Sequence, residues 1–158
     1  MLKLGDSVSD FCLPNQDAEE ICFRDISGRW IILYFYPKDS TPGCTTEACD
    51  FNVNLTAFTG ANAIVLGVSP DSPARHTKFI DKNTLNFTLL SDEEKEVCKL
   101  FGVWQLKKFM GKEYMGVVRS TFIISPDNQI VFEDRAVKVK NHAFMIMEKL
   151  QELQNTQK

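Results

Sequence analysis

Two unbroken apolar runs dominate the pattern of the chain. WIILYFY at residues 30–36 and AIVLGVS at residues 63–69 carry no charge and are rich in β-branched and aromatic side chains. Such runs predict strands buried on both faces, as in the middle of a parallel sheet. Weaker strands are predicted around residues 11–13, 22–24 and 87–89. VRSTFIIS (118–125) and QIVFEDR (129–135) flank Pro126, Asp127 and Asn128, which reads as a tight turn and hence a hairpin. Between the strands the spacing becomes helical. Ser72 and Pro73 supply an N-cap and a proline at the first helical position, opening a helix to about residue 82. Ser91 or Asp92 can cap a helix to Phe101, stopped by Gly102. Ala143, Phe144, Ile146, Met147, Leu150 and Leu153 keep one apolar face over three turns, the stripe of a helix packed on a core. The order β-β-β-α-β-α-β-α-β-β-α predicts an α/β chain, a mixed central sheet with helices on both faces. Several α/β sandwiches satisfy that order.

Length and charge narrow the field. With 158 residues, no repeat and no linker, the chain reads as one domain over residues 1–158. A domain of that size buries roughly 70% of its unfolded surface and needs no staples. The net charge of -3 leaves no basic stripe to neutralise phosphates, so nucleic acid is not an expected partner. No apolar run approaches about 18 residues, so no membrane span is expected. The opening MLKLGDSVSDF lacks the apolar core and cleavage site of a signal peptide. Together these predict a cytoplasmic protein.

In a reducing compartment the five cysteines, Cys12, Cys22, Cys44, Cys49 and Cys98, do not form a structural disulfide framework. Cys12, Cys22 and Cys98 read as small buried apolar groups. The neighbouring strands predicted around Cys12 and Cys22 leave room for an incidental disulfide, and Cys98 is a fallback redox partner. No His/Cys spacing suggests zinc. His76 and His142 are expected to face solvent, and the run Glu93, Glu94, Lys95, Glu96 to form a wetted helix face.

Cys44 and Cys49 stand apart because of their setting, YPKDSTPGCTTEACDF at residues 36–51, directly after the strongest strand. Thr41 is a good N-cap and Pro42 suits the first helical position. Cys44 then falls in the first turn, at the head of the row Ala48, Phe51, Leu55 and Phe58. Its thiol is expected at the floor of a pocket, with free backbone N–H groups near it. A free thiol is only about 3% ionised at pH 7, so complete ionisation gains about thirtyfold, or about 2 kcal/mol. Enzymatic accelerations start near 8 kcal/mol. The site must therefore also orient a substrate and stabilise developing charge. Thr41 offers a hydroxyl one turn away, and Arg119, at the head of the late strand, is the best-placed cation. Residues i and i+5 of a helix lie about 140° apart with Cα atoms roughly 8.5 Å apart. A disulfide needs about 4.4–6.8 Å. Cys44 and Cys49 can join only if the helix unwinds, which makes them a switch rather than a staple. Oxidation of Cys44 to a sulfenic acid and attack by Cys49 is the chemistry that suits such a pair.

Pro37, Thr41 and Cys44, in the spacing P-x-x-x-T-x-x-C, resemble the active-site signature of peroxiredoxins. TPGCTTEACDF is similar to the bacterioferritin comigratory protein, or Q-type, group of that family. KEYMGVVRSTFIIS, LFGVW and LGDSVSDFCLPNQD extend the resemblance over essentially the whole chain. It implies a thioredoxin-like fold and reduction of hydrogen peroxide and organic hydroperoxides without metal, haem or flavin. It implies Cys44 as the peroxidatic cysteine, Thr41 as a hydroxyl that hydrogen-bonds peroxide, and Arg119 as the cation that binds peroxide and stabilises the thiolate. Pro37 would shield the pocket and Cys49 would resolve the sulfenic acid; Glu47 also matches the group. Members are often monomers recycled by thioredoxin. Two other readings compete with a thiol peroxidase. A cysteine hydrolase would need a histidine base near Cys44, and a peroxide sensor or chaperone-like module would use the switch to alter a surface.

Overall fold

The computed structural model describes residues 1–156. Both apolar runs lie side by side in a five-stranded sheet. A short hairpin, β1 (Cys12–Pro14) and β2 (Glu20–Cys22), leads through α1 (Phe23–Ile26) to β3 (Trp30–Phe35). Then follow α2 (Pro42–Val53), α3 (Leu55–Gly60), β4 (Ala63–Ser69), α4 (Pro73–Asn83), β5 (Thr88–Ser91) and α5 (Glu96–Leu100). The chain ends with β6 (Trp104–Phe109), β7 (Lys112–Val117), β8 (Ser120–Ile124), β9 (Ile130–Asp134) and α6 (His142–Thr156). The sheet order is β5-β4-β3-β8-β9. β3 runs parallel to β4 and antiparallel to β8, and β8 and β9 form the expected hairpin.

Every residue of β3 is buried, because helices cover both faces of the sheet. Its side chains alternate between two cores. Trp30, Ile32 and Tyr34 join a cluster with α2, α4 and α6 residues such as Phe51, Phe79 and Ile146. Ile31, Leu33 and Phe35 join the opposite cluster with Phe101, Phe122 and Val8. Gly67 on β4 lets Tyr34 lie flat: a Cβ there would come within 2.9 Å of the Tyr34 ring.

Several expectations are corrected. The pattern at residues 22–24 is not a strand throughout, since β2 ends at Cys22 and Phe23 opens α1. The long helical row after Cys44 breaks at Asn54, so Leu55 and Phe58 belong to α3. The helix expected from Ser91 or Asp92 starts only at Glu96, after Lys95 in a left-handed conformation. Asp92 still caps it, accepting from the backbone N–H groups of Val97 and Cys98. Glu93 and Glu94 are exposed, as expected, but in a turn rather than on a helix. The β6–β7 hairpin gave no warning, because both strands are largely exposed and offer no alternation of buried and wet positions. Its two-residue turn puts Met110 and Gly111 at positive φ, the primed-turn geometry of tight hairpins.

Cys12 and Cys22 are not independent buried thiols. They are paired residues of the β1–β2 ladder and form a disulfide; Cys44, Cys49 and Cys98 are free. The bridge spans 10 positions. A loop of that length contributes about 2–3 kcal/mol by restricting the unfolded chain. Replacing both residues by serine should lower the unfolding free energy by about that much, read as an earlier urea midpoint. Reductant should shift the wild type similarly and leave the double variant unmoved.

Candidate active site

Sheet register brings the distant parts of the site together. Phe35 at the end of β3 pairs with Ser120 at the start of β8. Arg119, the residue just before Ser120, therefore stands beside the loop that leaves β3 and opens α2. Arg119 lies in the β7–β8 link rather than on a strand; the neighbouring Val118 N–H donates to the Val103 carbonyl, and the Arg119 carbonyl accepts from Val137.

Cys44 occupies the first turn of α2, as expected, with Pro42 opening the helix. Nη2 of Arg119 donates to its Sγ at 3.3 Å. Nη1 of the same guanidinium donates to Oε1 of Glu47 at 2.7 Å. Glu47 lies three residues after Cys44, on the same face of α2. One cation thus bridges a sulfur and a carboxyl one turn apart. Gly43 makes the room: a Cβ there would sit 3.2 Å from Nη2 of Arg119.

The sulfur does not line the floor of an open pocket. Cys44 is 1% exposed and packs with Tyr34, Ala48 and Phe51. A cavity of about 430 Å³ is lined by residues such as Ala63, Val65 and Phe87 at the opposite end of the sheet. A smaller one touches Pro37 and Lys38 on the far side of the loop. Around the sulfur, Pro37, Thr41 and Gly43 are half-buried, so approach is through a narrow gap.

Thr41 adopts the extended backbone of an N-cap, but its side chain does not cap the helix. Its hydroxyl donates instead to the Lys38 carbonyl at 2.9 Å. The first-turn N–H groups of Gly43 and Cys44 therefore lack a side-chain cap, and Thr41 Oγ1, its proton committed, presents only lone pairs.

Glu47 is fully buried, and among the described residues its Oε2 has no hydrogen-bond partner. Burial raises its pKa to about 7, against the pull of Arg119. Burial alone would lower the pKa of Arg119, but Glu47 and Cys44 raise it, so the guanidinium stays charged. Tyr34 beside them is held as a phenol by burial and then by Glu47.

Cys49, half-buried on the same helix, points its Sγ toward Asn83 Oδ1 at 3.9 Å, away from Arg119. The structure brings Cys44, Arg119 and Glu47 together, keeps Thr41 three residues before the sulfur with its hydroxyl turned to Lys38, and leaves Cys49 apart while α2 is intact. Cys98 is buried under α5, and burial with Asp92 beside it pushes that thiol well up. Both histidines are buried, at 0% and 1% exposure, which corrects the expectation that they face solvent. His76 lies on the inner face of α4 against Asp39 and the Leu90 carbonyl. His142 lies within 2.8 Å of Thr121 Oγ1 with its ring edge-on to Phe51. Position and spacing carried a signal for His76: it falls three residues before the core residue Phe79.

The folded chain holds the Glu47 proton more tightly than the unfolded chain, whose carboxyl has the ordinary value of 4.5. The stability this adds is complete below about pH 4.5 and is lost as pH rises through about 7. Glu47→Gln lacks that dependence. Between about pH 4 and pH 8 the stability of the wild type should fall by up to about 3 kcal/mol relative to Glu47→Gln, measured by urea unfolding across that range.

Comparison with known proteins identifies the family. Residues 4–133 match the AhpC/TSA family. The chain is 45% identical over 152 residues to peroxiredoxin Bcp of Bacillus subtilis, covering 96% of this chain and 97% of that protein. It is also 45% identical over 153 residues to peroxiredoxin Bcp of Escherichia coli K12, with the same coverage. A cysteine-to-serine variant of PrxQ from Xylella fastidiosa superposes with a TM-score of 0.92 at 38% identity, covering 96% of this chain and 97% of that one. The bacterioferritin comigratory protein of Xanthomonas campestris, described by its alkyl peroxide reduction activity, superposes with a TM-score of 0.86 at 42% identity, covering 90% of each chain. The mixed α/β sheet flanked by helices is the thioredoxin-like fold of these structural neighbours, and the chain belongs to the AhpC/TSA family, among the peroxiredoxins, which are thiol peroxidases.

Proposed function

We propose that this chain reduces hydrogen peroxide and organic hydroperoxides at Cys44 and that Cys49 resolves the product. The observation that carries this reading is the Arg119 guanidinium shared between the Cys44 sulfur and Glu47. The Cys44 thiolate attacks one peroxide oxygen. The S–O bond forms as the O–O bond breaks, and the alkoxide or hydroxide takes a proton to leave as alcohol or water. Arg119 opposes the negative charge moving from sulfur to the leaving oxygen. Thr41 Oγ1 accepts the O–H of the incoming peroxide, and Pro37 shields the gap.

The Cys44 sulfenic acid is then attacked by the Cys49 thiolate; the S–S bond forms and hydroxide leaves as water. Helix geometry forbids this with α2 intact. Contacts along α2 favour opening from its first turns. Its far end is tied down: Asn52 Nδ2 donates to the Thr84 carbonyl, Asn52 Oδ1 accepts from Asn86 N–H, and Asp50 Oδ2 accepts from Ala143 N–H. A dithiol protein of the thioredoxin type restores both thiols by exchange. The family resemblance supports a monomer, and the cytoplasm is the compartment expected from the sequence. No described helix is long and apolar enough to cross a membrane. The hydrolase alternative lacks its base, because the side-chain hydrogen bonds of the two buried histidines go to Asp39, the Leu90 carbonyl and Thr121 rather than to Cys44.

One equivalent of peroxide should join Cys44 to Cys49, seen by mass spectrometry of the digested chain. Cys44→Ser should consume none. Cys49→Ser should consume one equivalent, stop at the sulfenic acid and fail to turn over with thioredoxin, its reductase and NADPH. A bond from Cys44 to Cys98 would displace Cys49 from the reading. Arg119→Ala should slow Cys44 oxidation by more than the about thirtyfold that ionisation alone explains, measured by stopped-flow mixing with peroxide.

A further inference from the structure

Behind the loop that carries Pro37 and Thr41 lies a buried polar cluster that the chemistry above leaves unused. Asp39 is its hub. Its Oδ1 accepts from the Tyr36 hydroxyl at 2.5 Å, and its Oδ2 lies 2.6 Å from His76 Nδ1. Its backbone N–H donates to Asp71 Oδ2 at 2.8 Å, an oxygen that also accepts from Ser69 Oγ at 2.7 Å. All five side chains are buried. His76 Nε2 faces the Leu90 carbonyl at 3.1 Å, and a carbonyl only accepts, so Nε2 carries a proton. Asp39, Asp71 and His76 bring donor atoms within 4.8 Å of one another, as metal ligands would. Each of them is already hydrogen-bonded within the cluster, which is the arrangement of a lock.

The lock acts on a loop that would not hold its course unaided. Ser40 sits at φ 64, in the left-handed region that a residue with a Cβ avoids. Asp39, immediately before it, is fixed through both its backbone and its side chain. One residue earlier, the Lys38 carbonyl takes the proton of the Thr41 hydroxyl. The orientation of that hydroxyl is therefore set by where the lock puts residues 38 and 39. His76 reaches the loop from α4 and Tyr36 from the end of β3, so two elements of the scaffold converge on one carboxyl.

We propose that Asp39, clamped by Tyr36, His76 and Asp71, is a positioning residue that aims the Thr41 hydroxyl as an acceptor for peroxide while touching neither sulfur nor substrate. This rests on the roles assigned above to Cys44 and Thr41.

The test is a double-variant cycle on the full chain, reading the second-order rate constant of Cys44 oxidation by hydrogen peroxide. Asp39→Ala should lower it by about tenfold or more, the scale of a small misplacement of a substrate-orienting group. Asp39→Asn should restore most of the rate, because its carboxamide oxygen can accept from Tyr36 and its NH2 can donate to His76 Nδ1. In a Thr41→Val background the Asp39→Ala penalty should vanish to within about twofold. Tyr36→Phe keeps the ring in the core and removes one anchor. It should give a smaller loss, about threefold, that also disappears with Thr41→Val, and it carries the cycle if Asp39→Ala does not fold. Penalties that multiply with Thr41→Val overturn the proposal, as does a wild-type rate for Asp39→Ala. A wild-type rate for Thr41→Val alone overturns it by another route, through the role given to Thr41 rather than through the lock.

Discussion

A single guanidinium divided between two groups on one helix turn governs this site. Arg119 binds the Cys44 sulfur with one nitrogen and the Glu47 carboxyl with another. Burying an arginine against apolar packing is unfavourable unless its charge meets partners. Here both partners come from α2 and the cation comes from the link that leads into β8. The sheet register, the missing side chain at Gly43 and the placement of Pro42 all serve that one contact. The same contact explains how a sulfur can be nearly sealed from water and still face charge.

Much of this was legible in the sequence, and the reasons are specific. The β3 and β4 runs were readable because strands covered on both faces leave no polar interruptions. The first turn of α2 was readable because Thr41, Pro42 and Cys44 each suit a named position at a helix start. Arg119 could be singled out, though its tie to Glu47 could not: the two are 72 residues apart and meet only through the pairing of β3 with β8. Asp39 and His76 were harder to read for a similar reason, with only the helical spacing of His76 from Phe79 to point inward. Each looks like an ordinary surface residue until the fold buries it, and a charge buried with partners leaves no trace in hydropathy. The β6–β7 hairpin escaped because its strands bury almost nothing, and periodicity reports burial rather than hydrogen bonding.

On the reading proposed above, the helix that carries the thiol is also the element that must move. Its near end holds Pro42, the uncapped first-turn amides and Cys44. Glu47, midway along it, is a carboxyl kept out of water with one oxygen unpartnered among the described residues. A buried group without full satisfaction costs about 1–3 kcal/mol. The folded helix is thus least secure in the segment between the two sulfurs, and the rigid core beneath β3 need not share in its opening.

The fastening of Asn52 to the stretch at residues 84–86 has a geometric corollary. If the coil frays from its proline end, the two sulfurs do not meet halfway. Cys49 stays at home beside Asn83 and Cys44 is the traveller. The bond they form is then finished beneath the end of α4, well away from the arginine that hosted the first sulfur. Oxidant and reductant would knock at different doors of the same small protein.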